Sequence, residues 1–331
     1  MSPGHWQRVT GLTLVLLPFA ALFALVSGLR RGLFRFGLLP ANRLPIPVIV
    51  VGNVTAGGTG KTPFVLWLVR QLQEQGCHPG IVTRGYRASD AGPAAVAADD
   101  DPTRAGDEPV LLARRSGVPV WRGVDRGRAA RALLAAHRDC DVIVSDDGLQ
   151  HYRLARDIEV ALIDGARGFG NGLPLPAGPL REPVSRLSRC DFVVVKAPRT
   201  ASIAWNGAAV DMNLQGTRFV NLVDPESSTG PEQMADREVH AVAGIGEPKP
   251  FFATLRALGL TIVEHPFPDH HRFVATDFEF GADAIVVMTE KDAVKCRSFA
   301  SRTWWTLPVD AELPTGFAAR IVAALERIKK P

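Results

Sequence analysis

The sequence predicts an α/β protein with a doubly wound, mostly parallel sheet, a second and smaller α/β unit, and an N-terminal membrane-associated helix. Three observations carry this expectation. β-Branched runs alternate with helical stretches from residue 46 to about 196, the pattern of a sheet covered on both faces. The alternation lapses over residues 210–237 and restarts at Glu238. Residues 9–29 hold no charged side chain and are dominated by Leu, Val, Ala and Phe. The expected division is a hydrophobic helix and basic flank over 1–40, the larger unit over 41–209, a two-stranded linker over 210–237 and the smaller unit over 238–331.

Bulk composition fits two domains. A chain of 331 residues with 46% hydrophobic content can bury two cores. The four cysteines, Cys77, Cys140, Cys190 and Cys296, lie far apart without a C-x-x-C pair, which argues for a reducing compartment and against a disulfide framework or zinc site. The formal charge of +4 is mild, and Arg30, Arg31, Arg35 and Arg43 cluster just after the apolar segment.

As a helix, residues 9–29 reach about 30 Å, roughly the thickness of a bilayer core, with Pro18 as a kink. Arg8 before the run suits a signal peptide, but no clear A-x-A cleavage site follows. A spanning helix and a helix lying in one leaflet both suit the arginines that follow. A soluble core helix is the plainer alternative. Membrane association is expected.

Residues 48–51 form a short β-branched run, the composition of a buried strand. It breaks at Gly52-Asn53 into a loop holding Thr55, Ala56, Gly57, Gly58, Thr59 and Gly60, and Lys61 and Thr62 then open an apolar helical stretch. Strand, glycine loop and helix make a phosphate-binding loop. Its backbone N–H groups and helix N-terminus suit phosphate oxygens, with Lys61 on the β/γ-phosphates and Thr62 on Mg²⁺. The first glycine of the usual G-x-x-x-x-G-K-[ST] pattern is Thr55 here.

Residues 80–83 read as the next strand, ending in Arg84-Gly85-Tyr86-Arg87, and an exposed loop is expected up to about residue 102. Gly106-Asp107-Glu108-Pro109 then opens a helix, where an aspartate serves the free N–H groups of a first turn. Residues 118–121 are a strand and 126–137 a helix. Residues 141–149, D-V-I-V-S-D-D-G-L, are a β-branched strand ending in adjacent acids. At the C-terminal edge of a parallel sheet, Asp146 or Asp147 can hold Mg²⁺ beside nucleotide phosphates. Successive residues point to opposite sides, so the two acids are not expected to face the ion alike.

Two further strands are expected at 158–164 and 192–196. The Pro- and Gly-rich stretch 171–183 between them reads as an ordered loop over the sheet edge, with Arg181 and Glu182 as its charged tip. Residues 210–224 alternate around Gly216 and read as a hairpin. Strands at 240–243, 261–264 and 284–289 and a helix at 251–258 follow. Asp269, His270 and His271 allow metal binding, acid–base chemistry or a plain solvated loop. Thr289-Glu290-Lys291-Asp292 superficially suggests the guanine-reading [NT]-K-x-D signature, but its lysine is one position late, and that assignment is discarded.

Taken in order, G-N-V-T-A-G-G-T-G-K-T-P, T-R-G-Y-R, G-D-E-P, D-D-G-L-Q-H, P-A-G-P-L-R-E-P, A-G-I-G, F-P-D-H-H and T-E-K-D-A-V-K-C make the chain resemble the tetraacyldisaccharide 4'-kinase family over nearly its whole length. That family also lacks the first glycine of the loop. The resemblance implies a membrane-bound bacterial kinase using ATP and Mg²⁺, at the cytoplasmic face of the inner membrane. Its partners are then inner-membrane lipids and an acylated disaccharide 1-phosphate, phosphorylated at the 4'-hydroxyl to lipid IVA. It implies a P-loop α/β unit and a smaller α/β unit on a two-stranded linker. It also implies phosphate and Mg²⁺ roles for Lys61 and Thr62, Asp107 as base with His270 as its partner, and Asp146, Asp147 and His151 in the metal block. Arg84, Arg181 and Glu182 are further candidates. Carboxylate and histidine in different units would meet on closure over ATP. The alternative reading is a membrane-tethered P-loop ATPase switch. Nucleic acid is not an expected partner, because the basic residues follow the apolar helix without interleaved aromatics.

Overall fold

The computed structural model describes residues 4–86, 88, 90 and 92–329; Arg87 of the T-R-G-Y-R motif lies outside the described residues. After helix α1 (Gly11–Arg35) come β1 (Val48–Gly52), α2 (Lys61–Glu74), β2 (Pro79–Thr83), β3 (Ala94–Val96), α3 (Pro102–Ala105), α4 (Asp107–Ser116), β4 (Val120–Arg122), α5 (Arg126–Ala136), β5 (Val142–Ser145), β6 (Ile158–Asp164) and β7 (Phe192–Lys196). The chain continues through β8 (Val210–Gln215), β9 (Phe219–Asn221), β10 (Ser228–Thr229), β11 (Glu238–Ala243), α6 (Lys249–Ala257), β12 (Thr261–Pro266), β13 (Ile285–Thr289), α7 (Glu290–Cys296), β14 (Trp304–Leu307), β15 (Asp310–Glu312) and α8 (Phe317–Lys329).

Among the described residues these strands form two sheets, one in the order β15-β8-β7-β6-β1-β5-β2-β4-β3 and one in the order β10-β9-β14-β13-β11-β12. Strand β1 is buried on both faces, as its uninterrupted Val-Ile-Val-Val run requires. It lies between β5 and β6, both parallel to it. Val50 and Val82 are both level with Ser145, so β1, β2 and β5 end at one edge of the sheet. The glycine loop, Arg84 and Asp146 leave those three ends and therefore emerge side by side, at the edge where parallel sheets bind ligands.

Three expectations need correction. The stretch before residue 102 is not wholly loop, because β3 pairs antiparallel with β4 at the sheet edge. Residues 210–224 do not form a hairpin. β8 pairs with β7 and β15 in the larger sheet, whereas β9 pairs with β10 and β14 in the smaller one. Alternation reported one-sided burial correctly but carried no information about the partner strand. The chain passes between the sheets here and again before β15. A Cβ at Gly216 would lie 2.7 Å from Pro308 O, so the two passages run against each other.

The third correction concerns the C-terminus. Residues 310–329 were expected in the smaller unit, yet β15 and α8 pack on the larger sheet. Phe317, Ile321 and Leu325 join the core that also holds Phe64, Leu68 and Leu72 of α2. The Phe317 ring stacks on Trp67 at 5.8 Å and meets Phe192 edge-on at 5.5 Å. Ile321→Ala should therefore destabilise the larger unit by about 2–5 kcal/mol. In native-state hydrogen exchange the amides of α2 and β1 should lose protection; a loss confined to β11 and β13 would return α8 to the smaller unit.

Candidate active site

The glycine loop is bound on one side by the proline-rich loop. Ala56 N donates to Pro179 O (2.8 Å), Arg181 N donates to Val54 O (2.8 Å), and Thr55 bridges to Leu180. Within the loop, Asn53 is fully buried and its Nδ2 donates to Gly57 O (3.2 Å). Gly60 caps α2 with φ +80°, a backbone conformation that favours glycine. The first turn of α2 then presents its N–H groups toward the loop, beside Lys61 and Thr62. The Arg167 guanidinium donates to Gly58 O, pairs with Asp164 at 3.2 Å and lies 4.0 Å from Glu247 of the smaller unit.

Lys61 is held ready rather than extended into solvent. Its Nζ donates to Asn53 Oδ1 (3.4 Å) and faces Asp147 Oδ1 at 3.4 Å. Arg181 contacts both carboxylate oxygens of Asp147 at 3.2 Å. Burial opposes ionisation of Asp147, but Lys61, Arg181 and Arg126 override it and hold the carboxyl far below the usual range. Asp146 faces the other way, with Oδ2 accepting from Thr83 Oγ1 at 3.2 Å. Burial, together with Glu108 and Asp147, pushes Asp146 up to about 7. The adjacent acids thus diverge, across a turn that follows β5 and not along an extended strand. Asp147 has φ +46° and His270 φ +60°, the two non-glycine residues in the left-handed region among those described, and both are in this site.

Several buried polar atoms here have no partner among the described residues: Asp146 Oδ1, Thr59 Oγ1 and His151 Nε2. Each such atom is costly unless something else satisfies it. The described residues contain no group of three or more His, Cys, Asp or Glu able to cage a metal. That suits Mg²⁺, which uses one or two protein oxygens plus phosphates and water. Asp146 Oδ1 and the Thr62 hydroxyl fit that requirement. Asp147 is already engaged by two cations. His151 offers a ring nitrogen, a poorer match to a hard cation; burial and Arg126 keep it neutral, down to about 4.

On the facing side, Asp107 opens α4 and is 7% exposed. Its Oδ1 accepts from Glu108 N (2.9 Å), the first-turn role its position suggested. Its Oδ2 lies 2.8 Å from His270 Nδ1. Burial would raise Asp107, but His270 and Lys291 hold it below the usual carboxylate range. His271 turns away and pairs with Asp277 at 2.9 Å. Tyr86, from the T-R-G-Y-R motif, packs its ring 5.2 Å from that of His270.

The structure brings Lys61, Thr62, Asp146, Asp147 and Arg181 to the sheet edge and sets the Asp107–His270 pair opposite. Arg84 is exposed at the end of β2, near enough to Arg126 to disfavour its charge. Glu182 is elsewhere: Tyr152 donates its hydroxyl proton to Glu182 Oε1 (2.5 Å), and Arg186 lies 3.3 Å from Oε2. Sequence reasoning missed Arg126, whose Nη2 donates to the carbonyls of Asp146 (3.3 Å) and Asp147 (2.8 Å). An arginine directly after the helix cap Asp125 was the available signal. It also missed Lys291, which lies 3.1 Å from Glu108 and 3.4 Å from His270 Nε2.

A family model described as Tetraacyldisaccharide-1-P 4'-kinase matches residues 12–326. A tetraacyldisaccharide 4'-kinase from Azoarcus sp. (strain BH72) is 51% identical over 331 residues, covering 100% of this chain and 97% of that protein. One from Methylobacillus flagellatus is 48% identical over 324 residues, covering 98% and 95%. The crystal structure of LpxK from Aquifex aeolicus in complex with ATP superposes with a TM-score of 0.80 at 28% identity, covering 96% of this chain and 99% of that one.

The raised Asp146 has a measurable consequence in protein free of nucleotide and metal. Its folded-state value of about 7 lies above the ~3.9 of an unfolded aspartate, so folding binds a proton. The stability this contributes is complete below the unfolded value and is lost as pH rises through the folded one. Asp146→Asn should remove that loss, so the wild-type melting temperature should fall relative to the variant's between pH 5 and 8. A constant difference across that range would show Asp146 ionised throughout.

Proposed function

This chain belongs to the tetraacyldisaccharide 4'-kinase family, and from that premise we propose which of its residues carry the reaction. The enzyme transfers the γ-phosphate of ATP to the 4'-hydroxyl of tetraacyldisaccharide 1-phosphate, forming lipid IVA in lipid A biosynthesis. The alternative of an ATPase switch without a lipid acceptor is not favoured, since the family is defined by its acceptor.

The β- and γ-phosphates occupy the loop of residues 55–62, on its backbone N–H groups and the Lys61 ammonium. Lys61 then exchanges part of its contact with Asp147 for phosphate oxygen, while Arg181 keeps Asp147 compensated. Asp146 and Thr62 would hold Mg²⁺, with Asp147 and His151 as the further candidates nearby, and the bound ion would supply charge neutralisation for the phosphates. Arg126 fixes the turn that carries both acids.

Asp107 accepts the proton of the acceptor hydroxyl. The observation that carries this assignment is its 2.8 Å contact with His270 across the two units. A sugar hydroxyl is a weak nucleophile, and a charged carboxylate oriented by a histidine relieves it of its proton as attack proceeds. Bringing the units together also excludes water, the competing acceptor.

The acceptor arrives from a membrane. Helix α1 spans about 38 Å, and both of its ends are held to the same body. Before it, His5 Nε2 and Trp6 Nε1 contact Pro176 O at 3.2 and 3.0 Å. At its far end the Phe34 ring stacks on Tyr152 at 6.1 Å, and Asn42 N donates to Arg153 O (2.6 Å). Only 11% of its most apolar window is buried, and Leu12, Val15, Phe19, Leu22 and Leu29 are exposed. Such a helix lies in one leaflet; we place it in the cytoplasmic leaflet of the inner membrane, with Arg30, Arg31 and Arg35 on anionic headgroups.

Incubation with labelled ATP and acylated disaccharide 1-phosphate tests the reading. Wild-type enzyme should label the lipid. Asp107→Ala should lower kcat by roughly 10²-fold or more while leaving the KM for ATP nearly unchanged; a defect in ATP binding alone would reduce Asp107 to a helix cap. Deleting residues up to Leu29 should move the protein from the membrane to the soluble fraction, and unchanged partitioning would mean that another surface anchors it.

A further inference from the structure

Lys291 opens α7 and reaches four polar groups with one ammonium. Its Nζ lies 3.1 Å from Glu108 Oε1, 3.4 Å from His270 Nε2, 3.8 Å from Asp269 Oδ1 and 4.0 Å from Asp107 Oδ2. Its neighbours in sequence are fixed on both sides. Glu290 is paired with Arg115 of α4 and accepts from Val309 N (3.1 Å). Asp292 is fully buried, accepts from Gly244 N (2.8 Å) and Thr289 Oγ1 (2.7 Å), and pairs with Lys295 at 2.6 Å. Gly244 O in turn accepts from His270 N (3.1 Å), so the same short helix registers both the lysine and the histidine loop.

An ammonium has hydrogens and no lone pair, so it can bond to an imidazole nitrogen only where that nitrogen is bare. Nε2 of His270 is then the acceptor and Nδ1 carries the hydrogen, which points at Asp107 Oδ2. Resting on the kinase reading above, we propose that Lys291 is a positioning residue for phosphoryl transfer: it donates to His270 Nε2 and so fixes the Nδ1–H tautomer that orients the Asp107 carboxylate.

The opposite tautomer would set an N–H against the ammonium and a lone pair against the carboxylate, two repulsions in place of two bonds. An imidazolium would bring a second cation to within 3.4 Å of the first. His270 then acts through its Nδ1–H, which holds the Asp107 carboxylate in place. In the transfer, the O–H bond of the acceptor breaks and its proton moves to the Asp107 carboxylate. The freed electron pair forms the new O–P bond, and the P–O bond to ADP breaks with its pair leaving on ADP. Among the described residues, Asp107, Asp269, Lys291 and Tyr86 face His270, while Lys295 acts on Asp107 and Glu108 pairs with Lys291. Burial would discharge Lys291, but Glu108, Asp107 and Asp269 hold it above its ordinary value, so it stays an ammonium.

The test uses full-length, detergent-solubilised enzyme with Lys291→Met and Lys291→Arg. Lys291→Met should lower kcat on the order of 10- to 100-fold at an unchanged KM for ATP. Its acidic limb should move to higher pH, because Asp107 loses the cation that helps hold its carboxyl down and protonates more readily. Side-chain nitrogen NMR should show His270 as the Nδ1–H tautomer in wild type and Lys291→Arg, and Nε2–H or doubly protonated in Lys291→Met. A fall in kcat with tautomer and acidic limb unmoved would overturn the proposal, as would no fall at all. Failure of the wild type itself to label lipid would instead sink the kinase reading, while the histidine spectrum would still report on the lysine contact.

Discussion

The catalytic arrangement depends on one contact, the hydrogen bond from the smaller unit's His270 to the larger unit's Asp107. A carboxylate that is 7% exposed would ordinarily take up a proton, and a protonated carboxyl cannot accept another from a sugar hydroxyl. Among the described residues the larger unit supplies one backbone donor, Glu108 N, to offset that burial. His270 and Lys291 supply the rest. Under the proposed role of Asp107 as base, its charged form is held by contacts from the smaller unit, so basicity is tied to the docking of the two units. The docking is itself bolted along α4. Glu108 meets Lys291 near its start and Arg115 meets Glu290 near its end, two inter-unit ion pairs on one helix face.

The phosphate side solves a different charge problem. Lys61, Arg126 and Arg181 surround Asp147, and that surplus of cations awaits the negative charge of a triphosphate. Asp146 is the reverse case, a carboxyl starved of donors on one oxygen and pressed by Glu108 and Asp147. Neighbours in sequence thus end at opposite extremes of acidity because the turn at Asp147, with its positive φ, sends one side chain to the loop and leaves the other under the sheet edge. Asp147 already faces the cations Lys61 and Arg181, which is why the proposed metal site falls to Asp146.

Much of this was legible in the residues. Strand, glycine loop and helix have a local signature, as does a β-branched strand ending in Asp-Asp-Gly, and both were placed correctly on the parallel sheet. What escaped was non-local. Three-residue β15 carries no periodic signal, and nothing in α8 says which of two apolar surfaces it covers. The strands at 210–215 and 219–221 look like a hairpin because alternation is a property of one strand, whereas pairing is a property of two. Lys291 was set aside because its spacing failed one nucleotide signature. Its importance lies in reaching back across the units to His270 and Glu108, a relation between residues 183 apart in sequence for the latter. Pairing Asp107 with His270 rather than His271 rested on family resemblance; in the fold, adjacent side chains diverge, and His271 is taken by Asp277.

The membrane helix and the nucleotide loop are mechanically continuous. The segment before α1 is bonded to Pro176 and Asn171, and the same proline-rich loop lends Pro179 O, Leu180 and Arg181 to the glycine loop. The far end of α1 reaches the opposite flank, where Phe34 stacks on Tyr152, Tyr152 bonds Glu182, and Glu182 follows Arg181 directly. One loop is thus held at its start by the residues before the helix and at its end by the residues beneath the helix terminus. Its tip carries the arginine that compensates Asp147. A substrate whose acyl chains stay in the bilayer can present only its sugar headgroup, and only over the short distance that the headgroup projects. Under the proposed placement of α1 in one leaflet, a phosphate loop tied to that helix meets that limit, because the contacts at both helix ends then set its height above the lipid surface.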